Sequence, residues 1–206
     1  PSDNIAKHKN MKNNLLILLT ILLGPMTLTA QRRVMNMPDI PKYVTLKCDF
    51  HSHTVFSDGN VWPTQRVGEA WRDGLDALAI TDHIEYRPHK DFTSNDHNAA
   101  WKIAKPVADD YNLILVHGTE ITRSMPPGHL NALFIQDADS LDKADFMKVI
   151  EAAVKQGAFI QYNHPGWKSQ QPDGIPRLYP VHLELIAKGW LHGIEYFNEY
   201  ETYRNA

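Results

Sequence analysis

Apolar and polar residues alternate from Tyr43 to Phe50, with Val44, Leu46, Cys48 and Phe50 on one side, the period of a half-buried strand. Pro63 to Asp73 switches to a helical period: proline suits the first turn, Val67, Ala70 and Trp71 share a face, and Gly74 can end it. Ala77 to Thr81 is a short buried strand and Glu85 to Asn95 a polar loop. A second helical pattern runs through Ala100, Ile103, Ala104 and Val107, where Pro106 is expected to kink or end it. Leu113 to His117 and Leu130 to Ile135 read as strands. Asp145 to Gln156 is the clearest helix, with Phe146, Val149, Ile150, Ala153 and Val154 in one stripe and Gly157 as its cap. Ala158 to Tyr162 is a strand, Asn163 to Pro176 a loop, Pro180 to Lys188 a helix closed by Gly189, and Ile194 to Asn198 a last strand. Strands mostly alternate with helices at loop lengths suited to parallel βαβ units, the order of a (βα) barrel or an open doubly wound sheet.

Upstream of this pattern, Met11-Lys12 forms a short basic start and Leu15 to Leu23 is apolar apart from Thr20. Leu28-Thr29-Ala30 ends in a small residue, so the segment reads as a secretory signal peptide cleaved before Gln31. The apolar run is shorter than the roughly 18 residues of a membrane span, and Gly24-Pro25 interrupts it, which argues against an anchor. No cysteine follows it, which argues against a lipoprotein. The expected organisation is therefore residues 1–30 as upstream extension and signal, 31–42 as a linker with Pro38 and Pro41, and 43–206 as one domain. The expected location is periplasmic or extracellular.

Composition narrows the chemistry. The chain has 206 residues, 43% hydrophobic and 22% charged, which excludes disordered and low-complexity classes. A formal net charge of -3 gives no electrostatic footprint for nucleic acid. The single cysteine, Cys48, excludes an intramolecular disulfide framework and a Cys-rich zinc cluster, and Cys48 itself is expected in the strand core. Against that stand eleven histidines, ten of them after residue 30. A metal held by this chain must be held by His, Asp and Glu.

Five motifs place those residue types at the ends of the expected elements. In Asp49-x-His51-x-His53, followed by Ser57-Asp58-Gly59, two histidines spaced i, i+2 on a strand point to one side, so both imidazoles can face one ion. Asp58 adds a hard oxygen, while Asp49 is better placed to orient an imidazole than to bind metal. Thr81-Asp82-His83, Gly118-Thr119-Glu120 and Asn163-His164-Pro165 each follow a strand, and Gly128-His129 precedes one. Taken singly, each has an ordinary explanation: a helix-capping Asp82, a surface Glu120, turn histidines at 129 and 164. Taken together they recur at strand exits, the rim where α/β barrels gather catalytic groups, and a hydrophobic core gives no reason for that. Arg123, three residues after Glu120, is the best candidate for a cationic group beside the metals, ahead of Arg87, His89 and Lys168. Trp62, Tyr86 and Trp167 are candidates for flanking an organic group, and His97, His117, His182 and His192 read as structural or exposed.

In their order these motifs resemble the PHP (polymerase and histidinol phosphatase) domain, from about Lys47 to Glu195. The resemblance implies a distorted (βα)7 TIM-like barrel and metal-dependent hydrolysis of a phosphoester, through metal-activated water in a site of two or three divalent ions (Zn, Mn or Fe). It implies that His51 and His53 bind one metal, Asp58 and His83 a second, and His129 and His164 a third, with Glu120 bridging the first and third. Asp49, Asp82 and Arg123 complete the expected catalytic set. The family's late Asp-x-His pair has no counterpart after His164, so the barrel is expected to be incomplete at its C-terminal end and the protein to continue past Ala206. The expected substrate is a small phosphate mono- or diester, without nucleic acid or a stable membrane anchor. Two other readings stay open: an amidohydrolase-type metal hydrolase, against which stands the lack of a lysine at a strand end, and a metal-binding barrel without catalysis.

Overall fold

The computed structural model describes residues 31–198 and the backbone of 201–202. The expected signal segment lies outside the described residues. The chain divides into units Pro1–Gln31 and Arg32–Ala206, and every strand and helix described belongs to the second. Among the described residues no helix is long and apolar enough to cross a membrane.

Six strands form one sheet in sequential order: β1 (Cys48–Asp49), β2 (Ala77–Ile80), β3 (Ile114–Thr122), β4 (His129–Leu133), β5 (Phe159–Tyr162) and β6 (Gly193–Ile194). The helices are α1 (Pro63–Arg72), α2 (Ala99–Asp110), α3 (Phe146–Lys155) and α4 (Pro180–Ala187). The sheet curls into part of a barrel, so that Asn131 on β4 donates from Nδ2 to the carbonyl of Phe50 beside β1 at 3.2 Å. β1, β2 and β3 are parallel, as are β5 and β6, but β4 runs antiparallel to both neighbours. This departs from the expected βα alternation. The connection from β3 to β4 is only the segment 123–128, and a parallel crossover needs roughly a dozen residues or more.

Two apolar clusters lie outside the curl. Val67, Ala70, Ala100, Ala104 and Ala108 pack α1 and α2 against Leu78 and Ile80 of β2. Val149, Ile150 and Ala153 of α3 pack against Ile121, Leu130, Ala132 and Ile160. α3 matches its sequence pattern, and Asp145 caps it by accepting from the Lys148 backbone N–H at 3.1 Å. Pro106 does not end α2, which continues to Asp110 because its alanine face is buried along its whole length. The period of two on β4 sends Leu130 and Ala132 outward to this core and His129, Asn131 and Leu133 to the concave side.

Two strand expectations are corrected. The run Tyr43–Phe50 is a strand only at Cys48–Asp49, and Val44 and Cys48 are exposed, not core. Among the described residues β1 pairs only with β2, and no apolar layer covers Val44 or Cys48. Residues 43–47 are held by polar contacts instead, Thr45 N–H to Asp39 and Lys47 N–H to Asp76. The expected linker is likewise tied to the body: the Arg32 guanidinium pairs with Asp76 at 2.9 Å. The run Ile194–Asn198 is broken in two, with β6 leaving the sheet after Ile194 and β7 (Phe197–Asn198) pairing with β8 (Glu201–Thr202) in a separate hairpin. Glu195 sits at that break.

Ile160 is fully buried between α3 and the sheet, so Ile160→Ala should cost about 2–5 kcal/mol of unfolding free energy, and the exposed cap change Asp145→Ala about 1 kcal/mol. Chemical denaturation of both variants checks the order; equal losses would contradict the packing described.

Candidate metal centre

The concave side is layered. Phe50, Ala79, Val116 and Leu133 form an apolar floor. Above it Asn163 donates to Asn131 at 2.8 Å, and Asn131 donates to Phe50, so buried amides tie β5, β4 and β1 together. At the rim stand the histidines. The antiparallel course of β4 explains the one motif that precedes its strand: the start of a reversed strand lies at the same edge as the ends of its neighbours. His129 therefore joins residues that follow β1, β2 and β5.

Glu120, on β3, is the centre of the group and is fully buried. Its Oε2 lies 3.1 Å from His51 Nε2, 3.1 Å from His53 Nε2 and 3.3 Å from His83 Nδ1. Its Oε1 lies 2.9 Å from His129 Nδ1 and 3.2 Å from His164 Nε2. Five imidazoles converge on one carboxylate, and among the described residues no Lys or Arg joins them. Burial alone would raise the Glu120 carboxyl; the charge of His51 and hydrogen bonds from His129, His164 and His51 hold it well below the usual carboxylate range. Burial alone would likewise lower His51, but the Glu120 and Glu195 carboxylates on its two nitrogens push it up to about 10. Asp58 lies 3.5 Å from His83 Nε2 and 3.7 Å from His53 Nδ1. The hydrogen bond from His83, against some burial and with the charges of His53 and His83, brings Asp58 down to about 2.

The donor atoms form three overlapping triads, each within 4.8 Å: His51, His53 and Glu120; His53, Asp58 and His83; His83, Glu120 and His129. His164 borders the third through the same Glu120 oxygen, its ring 4.9 Å from that of His129. Imidazole nitrogens with carboxylate oxygens suit zinc and neighbouring first-row ions. A buried carboxylate ringed by five imidazoles and, among the described residues, by no Lys or Arg is a donor set that divalent cations fit.

The three expected catalytic residues are placed otherwise. Asp82 faces away from the centre and locks the loop after β1: it accepts from the Thr54 N–H at 2.7 Å, the Thr54 hydroxyl at 2.6 Å and the Ser57 hydroxyl at 2.6 Å. That loop carries Asp58, and Gly59 closes it so tightly that a Cβ would lie 2.5 Å from the His53 carbonyl carbon. Asp49 accepts from the His51 backbone N–H at 3.0 Å and orients no imidazole. Arg123 pairs with Glu85 and donates to the Lys143 carbonyl, so its charge is already neutralised away from the histidines. Trp62 packs on Phe56, whereas Tyr86 and Trp167 line a side cavity of about 540 Å³ that opens beside Asp58, His83 and His129. His182, read as structural, is fully buried: its Nδ1 accepts from the Tyr179 N–H and its Nε2 donates to the Pro127 carbonyl, pinning the turn before His129.

Glu195 was not singled out by the sequence. Its Oε1 accepts from His51 Nδ1 at 2.9 Å and its Oε2 from the His164 backbone N–H at 2.6 Å. The rule that found the other motifs, an acid or His directly after a strand, applies to it once β6 is known to stop at Ile194.

A part-barrel with a histidine–carboxylate cluster on its rim is similar to the α/β fold of PHP-like metal-dependent phosphoesterases. Solved structures agree with that likeness. The chain is 49% identical to a two-domain protein of Bacteroides vulgatus containing a predicted PHP-like metal-dependent phosphoesterase, with a TM-score of 0.82 over 84% of this chain and 50% of that one. A proposed metal-dependent phosphoesterase of Bifidobacterium adolescentis shares the fold at 18% identity, with a TM-score of 0.53 over 78% of this chain and 81% of that one. An amidohydrolase of Chromobacterium violaceum does so at 14% identity and a TM-score of 0.51, covering 72% of this chain and 76% of that one. An uncharacterised protein of Methanocaldococcus jannaschii is 35% identical over 82 residues, 40% of this chain and 36% of its own length. The chain thus spans half of the Bacteroides protein and about a third of the archaeal one. No protein-family model matches the chain.

In the metal-free protein His51 should stay protonated through neutral pH and titrate near pH 10. Its folded-state value lies above the ordinary 6.5, so the stability it contributes is complete below about pH 6.5 and is lost as pH rises toward 10. An NMR titration of the His51 ring protons reads this directly; a midpoint near 6.5 would contradict the two-carboxylate clamp.

Proposed function

We propose that the full-length protein is an exported hydrolase that cleaves the phosphoester of a small molecule at a centre of two or three divalent ions. The observation that carries this is the fully buried Glu120 carboxylate ringed by five imidazoles and, among the described residues, by no Lys or Arg. The Bacteroides relative, 49% identical, supports the phosphoester as the bond attacked. Export rests on the apolar run Leu15–Leu23 and the small residues before Gln31.

In this proposal His51, His53 and Glu120 hold one ion, Asp58 and His83 with His53 a second, and His129 and His164 with Glu120 a third. Bound ions supply Lewis acidity and neutralise phosphoryl charge. The chain's own residues arrange the rest. Glu120 spans the cluster with both oxygens, so one rigid side chain on β3 sets the spacing of all three seats. Asp82 fixes the loop that presents Asp58, and the His182–Pro127 contact fixes the turn that presents His129. Trp167 and Tyr86 offer flat faces beside the cluster, where the organic half of the ester can lie out of water. Arg123 is occupied by Glu85, so its guanidinium does not compete with the ions for the phosphoryl oxygens.

The test is metal analysis of the full-length protein together with hydrolysis of aryl phosphate mono- and diesters, alongside His53→Ala. Turnover should require a divalent ion, disappear with a chelator, and fall at least about a hundredfold in His53→Ala. Equal activity in the variant would sink the proposal. Full metal uptake without turnover of any phosphoester would instead mark a binding module.

A further inference from the structure

The two edges of the curled sheet, β1 and β6, are not hydrogen-bonded to each other among the described residues. Yet His51 stands beyond β1 and His164 beyond β5, on opposite sides of that gap, and their rings are stacked 5.7 Å apart. Glu195 links the two sides directly at the histidines. Glu195 leaves β6 at the point where the strand breaks, and its two carboxylate oxygens divide between the two sides: Oε1 on His51 Nδ1, Oε2 on the His164 backbone N–H. His164 holds a left-handed backbone with φ of 28°, a conformation that a non-glycine residue keeps only when its surroundings enforce it. Asn198 on β7 donates to Glu195 Oε1 at 3.1 Å and steadies the carboxylate.

We infer that Glu195 is a positioning residue of the centre, a carboxylate clasp that fixes the His51 ring and the His164 backbone together. The inference rests on the metal-centre reading above and adds a residue to it. A carboxylate only accepts, so the Glu195 contact fixes the proton on His51 Nδ1 and leaves Nε2, the nitrogen 3.1 Å from Glu120, as the atom that faces an ion. Carboxylate–imidazole pairs of this kind orient a ligating ring and raise its basicity. Glu195 does not itself join the cluster: its oxygens touch the outer nitrogen of His51, and the ring stands between it and Glu120. Asp49, the residue the sequence offered for this role, is turned to the backbone instead.

The test uses full-length protein, stripped of metal and titrated with Co²⁺ by its visible absorption, for wild type, Glu195→Gln, Glu195→Ala and, as control, His53→Ala. Glu195→Gln keeps the size of the side chain but leaves one acceptor oxygen for three donors. Its Co²⁺ affinity should fall about 10–100-fold under conditions where the metal-free variant, though less stable than wild type, remains folded. In the metal-loaded protein, ¹⁵N shifts should place the proton of His51 on Nδ1 in wild type, with that signal shifted or lost in Glu195→Ala. Unchanged affinity and an unchanged His51 tautomer in both Glu195 variants would overturn the clasp. So would a loss of affinity that only follows a loss of folding in both. If wild type and His53→Ala both fail to bind Co²⁺, it is the metal reading that falls, a result separate from the clasp failing in a protein that binds.

Discussion

A carboxylate with no exposed surface governs this site. Taking Glu120 out of water is unfavourable by several kcal/mol unless matched charge and hydrogen bonds meet it. Among the described residues the chain supplies five imidazoles and no permanent cation. That choice has a consequence that Lys or Arg would not have. Imidazoles can compensate the carboxylate as protonated cations or, when neutral, share it with metal ions, so one cluster serves the empty and the loaded protein. In the empty state His51 bears much of this duty, which is why its proton is held so firmly between two carboxylates.

Gathering five rings on one oxygen pair requires four segments to meet at one edge around the strand that carries Glu120, and the sheet is shaped for it. The parallel strands β1, β2 and β5 deliver their exits to the rim, and the reversed strand β4 delivers its start. Beneath the rim the apolar floor of Phe50, Ala79, Val116 and Leu133 fills the curl, and the Asn163–Asn131–Phe50 chain of amides holds its sides in register. Much of the polar chemistry near the centre acts one step away from it. Asp82 shapes a loop, His182 a turn and Glu195 the seam. The side cavity with Tyr86 and Trp167 adds a flat, uncharged wall beside the centre.

Some of this was legible along the chain. The stripe Val149, Ile150, Ala153 announced α3 because three buried turns impose a 3.6-residue period that nothing else produces. The histidines at 51, 53, 83, 129 and 164, with Asp58 and Glu120, could be singled out because polar residues recurred at the ends of apolar runs. Other parts were not legible. Alternation over Tyr43–Phe50 looks the same whether or not a second layer covers the strand, and here none does for Val44 and Cys48. Pro106 carries a local penalty that the buried alanines of α2 outweigh, and no window of sequence weighs one against the other.

By itself, then, the sequence determined which residue types are available and at what period they repeat: a metal site built from His, Asp and Glu, on strands and helices of an α/β sheet. Those features come from local chemistry and from the geometry of neighbouring residues. Only the tertiary structure decided what each polar side chain faces. Asp82 and Arg123 lie close to His83 and Glu120 in the chain, yet one turns into a loop and the other into an ion pair with Glu85. Glu195, 144 residues from His51, reaches it because β6 ends one residue earlier on the far side of the seam. Direction and partner are properties of how the sheet curls and where its strands stop, which depend on contacts between segments far apart in the chain.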